Sequence, residues 1–294
     1  MVRTWTHRTV VVLFRDYIYK RFAGYDEERI ARVAGVSVEA ITFDSLGTVP
    51  YAPQIAKDGV LSRERYRWRI PYQTLEPWTP IWDELVSAGF AAVAADGWML
   101  SKRGVMLCED LHRSARRYLE SLTLPGAELK RLSAALRVLH GKIPARAERA
   151  QCAMAGLPLQ AEIRSDILRF DRFASELWNF RDDAHIMAWQ AARFAGPTLD
   201  VLSHLWEGTD SLEQLVLELD GRQSESSVDK EVTRLVESGD IDQRGNFLAL
   251  TSRGKARRAL IERETDACYF EGWPDGRELA RIGEDMSALS EALP

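Results

Sequence analysis

Residues 235–254, LVESGDIDQRGNFLALTSRG, decide how this chain is read. Leu235 and Val236 close an amphipathic run, and Gly239 stands where a helix ends in a residue of positive φ. Asp242-Gln243-Arg244-Gly245 reads as a hairpin tip and Phe247-Leu248-Ala249-Leu250 as the return strand. Thr251 is placed to cap a helix that starts at Ser252. Helix, short hairpin, helix is the back half of a winged helix-turn-helix. The same order of residues occurs 150 positions earlier, from Leu85 through Asp96-Gly97 to Gly104. Leu85 aligns with Leu235, Val86 with Val236, Gly89 with Gly239, Leu100 with Leu250, Ser101 with Thr251, Arg103 with Arg253 and Gly104 with Gly254, without a gap. The reading is an internal repeat.

Working outward from these two stretches, the expected fold class is mainly α with small β-hairpin wings: two winged helix-turn-helix repeats joined by a helical centre. A length of 294 residues suits about two domains of ordinary size. The expected division is an N-terminal region 1–124 holding the first winged unit (about 58–122), a helical connector and possible dimerisation region 125–197, a second winged unit 198–273, and a C-terminal tail 274–294. In the N-terminal region a helix is expected from Thr9 to Phe22, ended by Gly24. Glu27 to Ala40 reads either as a helix-turn-helix with Gly35 at the turn or as a short helix and loop, and 44–60 as a connecting loop. Ser62 caps a helix start, and Thr79-Pro80 opens the helix Pro80–Ala88, where a recognition helix would lie; its exposed candidates are Asp83, Glu84 and Ser87. In the centre, helices are expected over Ala127–His140, Ala145–Ala155 and Leu159–Phe194, with apolar residues at helical spacing. In the second unit, Ser224–Ser238 is the recognition helix, its core face set by Val228, Val232, Leu235 and Val236.

Composition restricts the function. The net charge is −5, whereas a dedicated nucleic-acid binder usually carries a basic domain. Cys108, Cys152 and Cys268 are far apart and odd in number, which predicts reduced thiols in a cytoplasm rather than a disulfide framework. Val10–Phe14 is too short an apolar run for a signal core or a membrane span, so no membrane partner is expected.

Two further patches carry a family resemblance. The order helix, Gly-Asp turn, Asp-x-Arg tip, Leu-Thr-x-x-Gly and long helix over 235–262 resembles the wing of MarR-like regulators. Arg181-Asp182-Asp183-Ala184-His185-Ile186-Met187-Ala188-Trp189, together with Glu264-Thr265-Asp266 up to Trp273, is similar to the SalK-like bacterial helix-turn-helix proteins. The resemblance covers about residues 181–273 and implies a winged-helix fold and a regulatory role.

Motifs for chemistry are sparse. There is no P-loop, GxGxxG after a strand, GxSxG, HExxH or zinc spacing, so no cofactor, no metal and no enzymatic activity is expected. The one polar constellation is Asp182, Asp183, His185 and Trp189 on the central helix, where Asp182 shares a face with His185 and Trp189 stacks on it. It reads as a ligand pocket or as a packing contact at a domain junction; the structural reading is the simpler. His112, His140 and His204 stand alone in the sequence. Trp68, Trp78, Trp82, Trp98, Trp178 and Trp206 are expected in the core. Arg63, Arg65, Arg67 and Arg69 alternate with Tyr66 and Trp68, a strip able to hold nucleic acid or to line a solvated edge.

The leading expectation is a cytoplasmic transcription regulator that binds double-stranded DNA, with a small-molecule effector and a homodimer as further partners. Lys230, Arg234 and Arg244 are the candidate DNA contacts, with Arg253 and Lys255 for phosphates. The alternative is a winged module for protein interaction or ligand sensing that does not touch DNA. An enzyme built on Asp182 and His185 is the remote third class.

Overall fold

The computed structural model describes residues 5–41, 50–142, 163 and 165–293. The helix expected over Ala145–Ala155, and Cys152 with it, lie outside the described residues. The chain begins with α1 (His7–Lys20), capped by reciprocal hydrogen bonds between Thr6 and Thr9, and a 3-10 turn ending at Gly24. Then come α2 (Glu27–Ala34), α3 (Ala52–Ile55), β1 (Val60–Ser62), α4 (Arg63–Tyr66), α5 (Thr79–Ser87), β2 (Ala91–Ala94), β3 (Gly97–Leu100) and α6 (Lys102–Ser121). The centre is α7 (Gly126–His140) and α8 (Asp166–Ala191). After it follow α9 (Gly196–Glu207), α10 (Leu212–Glu218), α11 (Glu225–Glu237), β4 (Ile241–Arg244), β5 (Phe247–Leu250), α12 (Ser252–Tyr269) and α13 (Gly276–Ala292). The described chain is mostly helical, with two small antiparallel sheets.

Both hairpins form within the quoted stretches, but Asp242, Gln243 and Arg244 belong to β4 and the turn of the second hairpin is Gly245-Asn246. Ala91 faces Leu100 and Ala94 faces Gly97; Ile241 faces Leu250 and Arg244 faces Phe247. The local bonds match as well. Gly89 and Gly239 take φ of 76° and 71°, the left-handed region that closes a helix. Ser101 and Thr251 each donate a 2.8 Å hydrogen bond to the carbonyl of that glycine. The same hydroxyls accept from Gly104 N and Gly254 N, capping α6 and α12. A third strand, β1, pairs with β3 in the first sheet. At the second hairpin a single bridge, Ser211 to Phe247, takes that place.

Apolar residues separate into three cores. One is built from α1, α7, α8, α13 and the end of α12, around Phe14, Tyr17, Leu136, Phe170, Tyr269 and Met286. A second surrounds the first hairpin, where Trp82 and Trp98 stack 4.9 Å apart with Tyr66 edge-on to both. The third gathers Trp189, Leu199, Val228, Val232, Leu248 and Ile261 around the second hairpin.

Several expectations change. Residues 276–292 are not a tail: Leu279, Ile282, Met286 and Leu289 recur at helical spacing and bury α13 in the first core. The helix expected to reach Phe194 ends at Ala191, and Gly196 and Pro197 open α9, Pro197 lying in the first turn where its missing N–H costs nothing. Within 44–60, the described residues form α3 and the start of β1. Trp206 is 46% exposed and is no core residue. The alternating arginines do not form a strip, because a helical turn breaks up the two-residue period. Arg65 donates to Ile55 O and lies over Trp68, Arg63 lies over Trp98, and Arg69 reaches Asn179 and Tyr51.

Candidate functional site

The five candidate contacts lie on α11, the second hairpin and the start of α12. Ser211 and Ser224 cap α10 and α11 through Gln214 N and Ser227 N, so both helix starts are set by local sequence. Leu215, Leu219, Val228, Val232 and Leu235 seat the pair on α9. Lys230 and Arg234, four residues apart, are both exposed. Among the described residues Lys230 makes no hydrogen bond or ion pair. Arg244 is exposed at the hairpin tip, opposite Phe247, which is 50% exposed.

The inner face of α11 differs from the expected one. Val236 is 37% exposed, and Glu231, only 5% exposed, takes the inner position instead. Glu231 accepts a 2.7 Å hydrogen bond from the Thr198 hydroxyl and two from Arg234, at 2.8 and 3.0 Å. A buried carboxylate needs such partners. Arg234 is therefore anchored from below, with half of its side chain in solvent. Position 231 falls three residues after Val228 and four before Leu235, so the helical period alone could have placed it inside.

Sequence reasoning also missed Asp240, which is fully buried. It accepts a 2.6 Å hydrogen bond from Ser238 Oγ and pairs with Arg257 and, at 3.5 Å, with Arg253. Arg257 also lies 3.9 Å over the Phe194 ring and donates to Ala192 O. Arg253 is thus tied to the Gly-Asp turn, whereas Lys255 is exposed on the first turn of α12.

Asp182, His185 and Trp189 are not brought into one cluster. His185 is buried, with Nδ1 3.0 Å from the Thr265 hydroxyl, Glu262 at 3.8 Å and the Tyr72 ring at 5.9 Å edge-on. The Thr265 hydroxyl donates its proton to Ile261 O, so it is the imidazole Nδ1–H that donates to Thr265. Burial lowers the imidazole to about 4. Asp182 is half-buried and faces Arg181 and Arg69 instead; desolvation raises its carboxyl to about 6 against their pull. Trp189 belongs to the third core, and its indole N–H has no hydrogen-bond partner among the described residues. The helical spacing was right, but partners from 72 and 262–265 fill the gaps that the sequence left open.

The solitary histidines also find partners across the fold. His112 donates to Pro50 O at 2.9 Å, His140 pairs with the buried Glu176, and His204 contacts Glu218 at 3.0 Å. Burial raises the Cys108 thiol to about 12. Among the described residues no group of three His, Cys, Asp or Glu side chains could hold a metal ion, and no helix is long and apolar enough to cross a membrane.

Residues 108–294 match the sequence profile of a helix-turn-helix family. No curated protein and no solved structure matches the chain.

Proposed function

The chain belongs to the helix-turn-helix family, and from that premise we propose a transcription regulator that binds duplex DNA through 198–273 and breaks no bond. The observation that carries it is the outward face of α11, with Lys230 and Arg234 side by side and Arg244 on the adjoining hairpin tip. In this reading the unit is a winged helix-turn-helix: α11 enters the major groove and the wing reaches the neighbouring backbone. Arg234, held by Glu231, is pre-set for a contact at little entropic cost. Lys255 adds a phosphate contact; Arg253, tied to Asp240, mainly holds the turn. The His185 contacts support a structural joint there rather than an effector pocket.

Exposed Glu225, Asp229 and Glu237 on the same helix favour a second reading, a protein-interaction module. One titration separates the two. Binding to a random-sequence duplex should fall linearly in log K against log salt. Lys230→Glu should abolish it, and Arg244→Ala should weaken all duplexes alike while lowering the salt slope by about 1. Absence of salt-dependent binding at low ionic strength gives the function to the interaction module.

A further inference from the structure

We infer that this chain is a dimer fused into one polypeptide, with a single working reading head, and that its partner is one unpaired half-site of duplex DNA bound by one chain. The half-site assignment rests on the DNA reading above; the fused architecture does not.

The offset of 150 residues runs well past the hairpins. α7 starts at Gly126 and α13 at Gly276. Between them Glu128 aligns with Glu278, Leu129 with Leu279, Arg131 with Arg281, Leu132 with Ile282, Leu136 with Met286 and Leu139 with Leu289, still without a gap. All four apolar pairs are buried in the first core. Upstream, Ser62 and Ser211 both cap a helix and both pair with the start of a hairpin's return strand, Gly97 or Phe247. From α4 and α10 onward the two halves therefore share helix order, caps, hairpin registers and core positions, while α2 and β1 of the first half have no counterpart element in the second.

Their packing is that of a twofold. α1, from the first half, packs along α13 of the second, and α8 of the second packs along α7 of the first. Lys20 on α1 donates to Ser290 O on α13 at 2.8 Å. Glu176 on α8 holds His140 on α7. His140 and Ser290 are repeat-equivalent, so the same end of α7 and of α13 is held by a helix of the opposite half. α7 and α13, equivalent to each other, meet face to face. The groove between them is lined by Arg131 with Arg281, Leu132 with Ile282, and Ala135 with Asp285, each an equivalent pair. Self-complementary contact of equivalent residues is what a twofold interface requires. A homodimer of a shorter ancestral chain has this form, and here one chain supplies both sides.

The halves differ where DNA would be touched. Lys230 corresponds to Pro80, Arg234 to Glu84 and Arg244 to Ala94. Glu84 points to the other side of the bargain: its carboxylate accepts from Ser37 N and, at 2.8 Å, from Ser37 Oγ. The segment after α2 thus lies against α5, with Ala40 and Ile41 buried in the same core. Positions kept between the halves hold the fold, and the three candidate contacts are kept in only one.

Light scattering of the full chain over a hundredfold concentration range decides the architecture. A constant mass near 33.3 kDa is expected; a 2:1 rise in mass overturns the fused dimer. The reading head is tested with a half-site selected from a random duplex library, presented once or as an inverted repeat. Equal affinity per half-site is expected, with one chain on the single site and Asp83→Lys without effect. A tenfold or larger gain on the inverted repeat, or binding in Asp83→Lys that rises or falls tenfold at unchanged melting temperature, overturns the single head. If no duplex binds at all, the DNA reading falls and the half-site with it, while the mass still decides the fusion.

Discussion

At Gly254 an added Cβ would lie 2.0 Å from Asp240 O, and at Gly104 it would lie 2.0 Å from Phe90 O. In both places the first turn of a helix crosses the strand that opens its hairpin, so only a hydrogen fits. Gly104→Ala and Gly254→Ala should each cost about 1–3 kcal/mol, as overpacking does, and the loss is read in thermal denaturation. Gly239 is a different case, since nothing lies within 4 Å of its Cβ but φ is 71°. Gly239→Ala should cost about 1 kcal/mol from backbone strain alone. At His185 the loss of a buried Nδ1–H donor leaves Thr265 and Tyr72 facing a void. His185→Ala should lower stability by roughly 0.5–3 kcal/mol; unchanged stability would argue that the imidazole serves a ligand.

Helix α11 shows how a single element divides between fold and function. Its outward cations read alike in sequence and differ in structure. Lys230 makes no hydrogen bond or ion pair among the described residues and acts only through its charge on Glu76, so Lys230→Glu should change the melting temperature little. Arg234 is the partner of a buried carboxylate but is itself half in solvent, so Arg234→Glu should lower stability by about 1–3 kcal/mol, the cost of leaving a buried acceptor short of a partner, and it is the poorer probe of binding. Equilibrium unfolding of the two single variants checks the difference. The same helix marks the limit of sequence reading. Caps, hairpins and most of the helices, though not α3 or α13, were legible because they depend on residues within a few places of one another. The inward turn of Glu231 depends on Thr198, thirty-three residues away in the chain. Burial of α13 was missed for another reason: its apolar stripe is regular, but only α1 and α7 give it something to cover.

Over the whole molecule, pH should act through buried imidazoles. His112 and His185 are both lowered to about 4, chiefly by burial. Between about pH 6.5 and 4 the unfolded chain binds their protons and the folded chain does not. Their contribution is therefore complete above about pH 6.5 and is lost as pH falls towards 4, by about 2 kcal/mol for each histidine at pH 5. Asp182 works in the opposite sense. Raised to about 6, it favours the folded state as pH drops below that value and offsets part of the loss. The melting temperature should fall from pH 7 to pH 5, and His112→Gln with His185→Gln should flatten or reverse that slope. A fall of the same size in the double variant would place the acid sensitivity elsewhere.

The exchange of helices between the halves also sets an order of assembly in time. α1 rests on α13, and 255 residues separate Lys20 from Gly276. At about 5–20 residues per second, synthesis keeps α1 waiting roughly 13–50 s for its partner. During that interval the part of α1 that α13 covers stands open to solvent and to any chaperone that binds apolar helices, whereas Tyr17 gains Phe170 and Asp171 once α8 is made. The second half meets no such delay, because α7 is already made when α8 emerges. Nascent chains stalled before Gly276 should accordingly be cut by protease within α1 while the first hairpin and α6 resist.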